Sequence, residues 1–253
     1  MRYSLGKVSY VNVLPLFSTG ADGGFDLFSK SPSELNELAH SNSLDATMIS
    51  RWVYKSISKD YAVLPRFGIF GDGEIMSVKL FSKRPIQDLK NGSIFITPET
   101  GTSSRAFSYL IKQKWEFDIF DIPRKEIKTA DAVLLIGNSA LVFDASGYPY
   151  SVDLGEMWKC QIGLNMMYSV FVIKRELYDK IAPHLTRFLE NNLEYFKKNR
   201  TLVIENAHSS LVKSSGVNID IGVLEKYYNC LKFELSDTDF TQTFDFIEKN
   251  GCI

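Results

Sequence analysis

The sequence predicts an α/β protein of two lobes with a small-ligand cleft between them. Three features of the 253-residue chain lead there. Short apolar runs alternate with amphipathic stretches, the pattern of strands and helices taken in turn. Several of the apolar runs end in a polar tip, and in open α/β sheets ligands bind at those strand ends. Two α/β units and a helical tail also succeed one another without a Pro/Gly/Ser-rich linker, which suits lobes joined by strands.

Tyr3–Val8 and Phe25–Ser29 read as strands. Ser31-Pro32-Ser33-Glu34 opens a helix: Ser31 can accept from the N3 amide, Pro32 stands where a missing N–H is harmless, and Glu34 can reach back. Leu35, Leu38 and Ala39 form the buried stripe of that helix. Asp45–Ser50, Tyr61–Phe70 and Ile75–Ser82 read as further strands, the last two separated by a turn at Gly71-Asp72-Gly73. Pro85 and Asn91-Gly92 mark turns before a strand at Ser93–Thr97, and a helix starts near Thr102 with Phe107, Leu110 and Ile111 on one face. Asp131–Gly137 is almost wholly apolar, as expected of a strand buried on both faces of a parallel sheet. Tyr168–Lys174 is another strand. Beyond Arg175 the pattern turns helical: Glu176–Arg200 with a break at Pro183, then Ile221–Leu231 and Ser236–Lys249, the last capped by Ser236 and Asp239 and ended by Gly251.

Composition narrows the partner. The 29 basic and 30 acidic side chains nearly balance, so nothing argues for nucleic acid or a membrane surface, and a small molecule is expected. Lys7, Ser9, Tyr10 and Asn12 interrupt any secretory apolar stretch, and no window approaches a membrane span, which leads to the expectation of a cytoplasmic protein. Cys160, Cys230 and Cys252 are odd in number and far apart, and His40, His184 and His208 are isolated. Neither a disulfide framework nor a metal site is expected.

Four strand-end tips could carry chemistry. Ser9-Tyr10-Val11-Asn12 lies just beyond the first strand, and Asn12 offers both a donor and an acceptor, unless it only caps the next segment. Thr97-Pro98-Glu99-Thr100-Gly101-Thr102-Ser103-Ser104 leads from a strand into a helix. Free amides and hydroxyls there would cradle an anion, or Thr102 or Ser103 would serve as an ordinary cap. Gly71-Asp72-Gly73 before Ser77 reads as a tight turn, since it lacks the phosphate-loop spacing. Gly137, with Asn138, ends the apolar strand where a ligand could approach the backbone closely. No Ser/His/Asp arrangement, G-x-S-x-G elbow or H-E-x-x-H motif accompanies them.

At these same residues the sequence resembles the menaquinone-biosynthesis family that includes chorismate dehydratase. The matching segments run in order along residues 5–172. They include Gly6-Lys7-Val8-Ser9-Tyr10-Val11-Asn12 with Pro15-Leu16, Asp45-Ala46 with Ile49-Ser50, Leu64-Pro65 with Gly68-Ile69, and Ser77-Val78-Lys79-Leu80-Phe81-Ser82. Thr102-Ser103, Leu135-Ile136-Gly137 with Ala140-Leu141, Asp153-Leu154-Gly155 with Trp158, and Gly163-Leu164 complete the set. The S-Y-x-N-x-x-P-L and D-L-G-x-x-W elements, together and in this order, are its most specific part.

The resemblance implies a fold like the periplasmic-binding-protein type II architecture. One discontinuous lobe would take residues 1–82 and 175–253, the other 83–174, with crossing strands near Ser77–Ser82 and Tyr168–Ile173 as the hinge. It implies the dehydration of chorismate to 3-[(1-carboxyvinyl)oxy]benzoate, with no cofactor and no metal. Asn12 and Ser77 would be the catalytic polar residues, and Ser9, Tyr10, Gly101, Thr102, Ser103, Gly137 and Asn138 would bind substrate. The matched segments offer no His or Glu base, so a substrate carboxylate is expected to take the proton. The chain departs from the family's pattern at Gly101, where serine is usual nearby, at Asn138, where aspartate is usual, and at Asn165-Met166, where Pro-Phe is usual. These departures are expected to border the cleft. A sister enzyme making 1,4-dihydroxy-6-naphthoate and a non-catalytic carboxylate-binding protein are the alternatives.

Overall fold

Two mixed β-sheets organise the chain, and the alternation of apolar runs with amphipathic stretches marks most of their strands. A computed structural model describes residues 2–253. In chain order the first part comprises β1 (Tyr3–Val8), a 3₁₀ turn over Val11–Phe17, β2 (Phe25–Lys30), α1 (Pro32–His40), β3 (Ala46–Ser50), the short α2 (Tyr54–Ile57) and β4 (Tyr61–Gly71). The middle comprises β5 (Val78–Ser82), β6 (Ile94–Ile96), α3 (Gly101–Trp115), β7 (Ala132–Ile136), α4 (Gly137–Leu141), β8 (Tyr150–Asp153) and α5 (Leu154–Ile162). Then come β9 (Met166–Lys174), α6 (Tyr178–Lys198), α7 (Arg200–Ser215), α8 (Ile221–Cys230), β10 (Leu231–Glu234) and α9 (Asp237–Asn250).

The larger sheet has the order β10-β4-β9-β3-β1-β2 and the smaller the order β6-β7-β5-β8. The architecture is that of the periplasmic binding proteins, two lobes with a cleft between them. The sheet membership of two strands differs from expectation. Val78–Ser82, expected to close the first lobe, pairs antiparallel with β7 and β8 in the smaller sheet. Met166–Lys174, expected in the second lobe, lies between β3 and β4 at the centre of the larger sheet. Neither strand bridges the lobes. The chain crosses instead through the loops at residues 72–77 and 163–165, because each strand is hydrogen-bonded along its length within one sheet.

Local chemistry accounts for the elements. The capping box of α1 forms as the sequence dictates: Ser31 accepts from the Glu34 amide, and the Glu34 side chain takes the Ser31 amide. Leu35 and Ala39 are buried and Leu38 is half-buried. β7 is buried from Ala132 to Leu135 and half-buried at Ile136, but it runs parallel to β6 and antiparallel to β5, so the sheet is mixed. α6 does not break at Pro183. Pro183 sits on the exposed face, where the lost amide hydrogen bond leaves a carbonyl near water, while Ile181, Leu185, Phe188, Leu189 and Phe196 keep the opposite face buried. α7 escapes the sequence pattern because its buried positions are only Val203, Ile204, Ala207 and Leu211, set among serines. β8, α5 and β10 are further elements that the pattern does not mark. Among the described residues no helix is long and apolar enough to cross a membrane.

Two contacts fix the lobes' relation near the crossings. Trp158 of α5 is buried and meets Phe246 of α9 edge-on, 6.0 Å between ring centroids. Asp72 bridges Lys159 of α5 at 2.5 Å and Lys232 of β10 at 2.6 Å, and these two ammonium groups hold its carboxyl below the usual aspartate value.

Candidate active site

The cleft narrows to a cavity of about 670 Å³, counting space open to solvent, walled by both lobes. The first lobe supplies Val8, Tyr10, Asn12, Val13, Met48, Ile49, Ser50, Ile69, Tyr168 and Ser169, and the second supplies Val78, Glu99, Gly101, Thr102, Ser103, Ile136 and Gly137. Ser77 arrives from the crossing loop. The wall is mostly apolar with a few converging polar groups, the usual character of a small-molecule site. Among the described residues, Glu99 is the one acidic side chain on the wall, and no Lys, Arg or His lies there.

The loop after β1 places Tyr10 and Asn12. Tyr228 of α8 donates to the Val11 carbonyl at 2.7 Å, and Asn138 of α4 accepts from the Val11 amide at 3.3 Å. The second bond crosses between lobes. Asn12 Oδ1 is buried without a partner among the described residues, so it is an acceptor left for a ligand or water. Burial, with a smaller contribution from the Glu99 charge, pushes the Tyr10 phenol up to about 12, which keeps it a neutral donor at physiological pH. Gly137 has φ 58°, and a side chain there would run into the Tyr10 ring, so glycine is required on both counts.

Ser77 is presented by a constrained turn. Its amide donates to the Ile75 carbonyl at 2.6 Å, and its carbonyl accepts from Gly137 at 2.8 Å. The preceding Met76 has φ 62°, a left-handed conformation that is costly for methionine. Asp153 holds that turn. Its carboxylate accepts from Ile75 at 3.1 Å and Met76 at 2.8 Å, and from Gly155 at 2.9 Å and Glu156 at 3.2 Å as the N-cap of α5. The D-L-G-x-x-W element therefore acts at a distance from the cavity. Its aspartate shapes the Ser77 turn and its Trp158 packs the lobes together.

The N-terminus of α3 opens on the cavity. The N-cap position is Thr100, yet among the described residues no side chain caps the helix, and Thr100 Oγ1 is itself buried without a partner. Neither Thr102 nor Ser103 serves as a cap. Thr102 Oγ1 accepts from the Trp52 amide at 3.3 Å, a second contact between lobes. The Gly101 amide is taken by the Glu99 carbonyl at 3.0 Å, which leaves the Thr102 and Ser103 amides for a ligand or water at the positive end of the helix dipole. Gly101 leaves room for the Trp52 indole, since any side chain at position 101 would overlap its ring nitrogen. Arg105 stacks on that indole at 3.7 Å and donates to the Gly101 carbonyl. Arg51, wholly buried, stacks over Phe244 at 4.3 Å and pairs with Glu248, which anchors the turn carrying Trp52.

Tyr10, Asn12, Ser77, Gly101, Thr102, Ser103 and Gly137 thus meet around one cavity, and two expected residues do not. Ser9 is exposed, its amide extending the pairing of β1 with β2 by a bond to Lys30. Asn138 lies behind the wall, with its oxygen engaged by Val11. Asn165 and Met166 sit at the second crossing, where Asn165 accepts from Lys232 at 3.4 Å and Met166 pairs with Gly71, so those departures do not line the cavity. Sequence reasoning passes over Glu99, Ser50, Tyr168 and Ser169 as wall residues. The available signal is a lone serine in the apolar run Met166–Ile173 and another closing Ala46–Ser50.

Comparison with known proteins places this geometry. The chain is 27% identical over 195 residues to a chorismate dehydratase of Thermus thermophilus, covering 69% of this chain and 70% of that protein. It is 27% identical over 169 residues to a 1,4-dihydroxy-6-naphthoate synthase of Streptomyces coelicolor, covering 61% of this chain and 56% of that one. A Candida albicans protein with the generic periplasmic binding protein fold superposes with a TM-score of 0.65 at 12% identity, covering 100% of this chain and 91% of that one, a likeness of fold alone. The sequence pattern of the menaquinone biosynthesis family matches residues 3–248, nearly the whole chain, and the protein belongs to that family.

Proposed function

We propose that the protein is a chorismate dehydratase, a hydro-lyase converting chorismate to 3-[(1-carboxyvinyl)oxy]benzoate and water in the futalosine route to menaquinone. The observation that carries this reading is the uncapped N-terminus of α3, which brings Thr102 and Ser103 to the same mostly apolar cavity as Asn12. An anion-binding end, a neutral amide with an unpartnered oxygen and apolar walls suit a cyclic carboxylate. The Thermus thermophilus relative supports the same reaction.

In this reading α3 holds one carboxylate, and Asn12 and Ser77 orient the ring hydroxyl that departs. The ring carbon bearing the ether loses its proton, the neighbouring carbon loses hydroxide, and aromatisation drives the step without a cofactor. A substrate carboxylate accepts the proton, and the protein fixes the geometry. Incubation with chorismate is expected to give a product lighter by 18 Da, with new aromatic absorbance. Tight binding without turnover favours a non-catalytic binding protein and overturns the dehydratase reading.

Glu99 is the acid on the wall that could compete for the proton. Glu99→Gln is expected to keep turnover within about tenfold of the parent, since one well-placed general base contributes ~10²–10⁴-fold. A loss of about a thousandfold in kcat would give the base role to Glu99 instead.

A further inference from the structure

Ser50 and Ser169 line the cavity and have no part in the dehydration step as assigned to Asn12, Ser77 and α3. Ser50 ends β3 and Ser169 lies in β9, and the antiparallel register sets them directly opposite each other. Directly opposed side chains on one face stand with Cβ atoms about 4.5–5.5 Å apart. Both residues line the cavity, among Met48, Ile49 and Ile69.

Their hydroxyl protons are uncommitted. Asn36 fixes Ser50 from behind: its oxygen takes the Ser50 amide at 3.0 Å and its amide nitrogen donates to Ser50 Oγ at 3.2 Å. Ser50 therefore accepts from Asn36 and keeps its proton to give. Ser169 Oγ is buried and has no hydrogen-bond partner among the described residues. A buried hydroxyl left unpaired is costly, and it persists where a ligand or water completes it. Two adjacent O–H donors on an apolar wall match the two oxygens of a carboxylate.

We propose that Ser50 and Ser169 form a second carboxylate station, and that the cavity selects dicarboxylates held between this station and the N-terminus of α3. The proposal rests on the cleft being the substrate site and deepens the dehydratase reading, since chorismate carries two carboxylates. It assigns Ser169 a role in binding and specificity.

The test is calorimetric titration of the parent protein, Ser169→Ala and Ser50→Ala with 3-[(1-carboxyvinyl)oxy]benzoate, which has two carboxylates, and with 3-hydroxybenzoate, which has one. Each substitution is expected to weaken the dicarboxylate by about ten- to hundredfold and the monocarboxylate by less than about threefold. Ser169→Ala should leave the empty protein at least as heat-stable as the parent, because it removes an unpaired buried hydroxyl. Equal losses for both ligands, or no loss for the dicarboxylate, overturn the station. So does a parent protein that binds the two ligands equally. Dicarboxylate selectivity lost in Ser169→Ala, in a protein that does not turn over chorismate, leaves the station standing and removes the dehydratase reading. Binding of neither ligand by the parent removes both.

Discussion

Asp153→Ala is expected to lower the melting temperature by roughly 10 °C. Four backbone amides converge on the Asp153 carboxylate, two from the crossing loop and two from the first turn of α5. The side chain is almost fully buried. Alanine removes every acceptor at once, and a buried donor left unpaired costs about 1–3 kcal/mol. Water can reach the helix end more readily than the Ile75 amide, so the sum is held to about 4 kcal/mol. At this chain length 1 kcal/mol is worth about 2–4 °C. The left-handed Met76 adds to the loss, because Asp153 holds the amide of that residue in place. Burial also pushes the Asp153 carboxyl above its ordinary value, against the pull of the amides. Asparagine is no rescue, since its NH₂ would oppose an amide donor. Differential scanning calorimetry measures the effect, and a melting point within about 2 °C of the parent would show that the crossing loop does not depend on this carboxylate.

The Asp153 contacts also mark a limit on what the sequence reveals. Features encoded by neighbouring residues are legible: the Ser31–Glu34 capping box, the Gly251 stop of α9 and the buried stripe of α3 at Phe107, Leu110 and Ile111. Features set by pairing partners far along the chain are not. β5 and β9 look the same in sequence whichever sheet they join, because an apolar strand carries no label for its partner. Pro183 reads as a break yet leaves the helix intact, since its cost depends on which face of α6 it occupies. The candidate site divides in the same way. Asn12, Thr102 and Gly137 stand at strand or helix ends, where local pattern marks them. Ser50 and Ser169 become a pair only through the register of β3 with β9, 119 positions apart in the chain. The D-L-G-x-x-W element is visible as a motif, but its role in shaping the Ser77 turn depends on contacts that span 77 and 78 positions.

Asn12→Ala and Ser77→Ala are each expected to reduce kcat for chorismate by about 10²–10³ while the protein stays folded. The size derives from what a preorganised donor aimed at developing charge is worth, about 2.7–4 kcal/mol at the transition state. Both residues are held before substrate arrives. Tyr228 and Asn138 fix the backbone of the Asn12 loop, and Asp153 and Gly137 fix the Ser77 turn. The side chains therefore need no reorganisation when hydroxide departs. Folding should survive both changes. Asn12 Oδ1 has no partner to lose, and the backbone bonds that hold Ser77 do not involve its side chain. A residue that only binds substrate would raise KM and leave kcat unchanged, whereas an orienting group lowers kcat and kcat/KM together. Steady-state kinetics with chorismate, alongside a thermal melt of each variant, separates these cases. Near-parent kcat in both variants would remove Asn12 and Ser77 from the chemistry and leave the cavity a binding site.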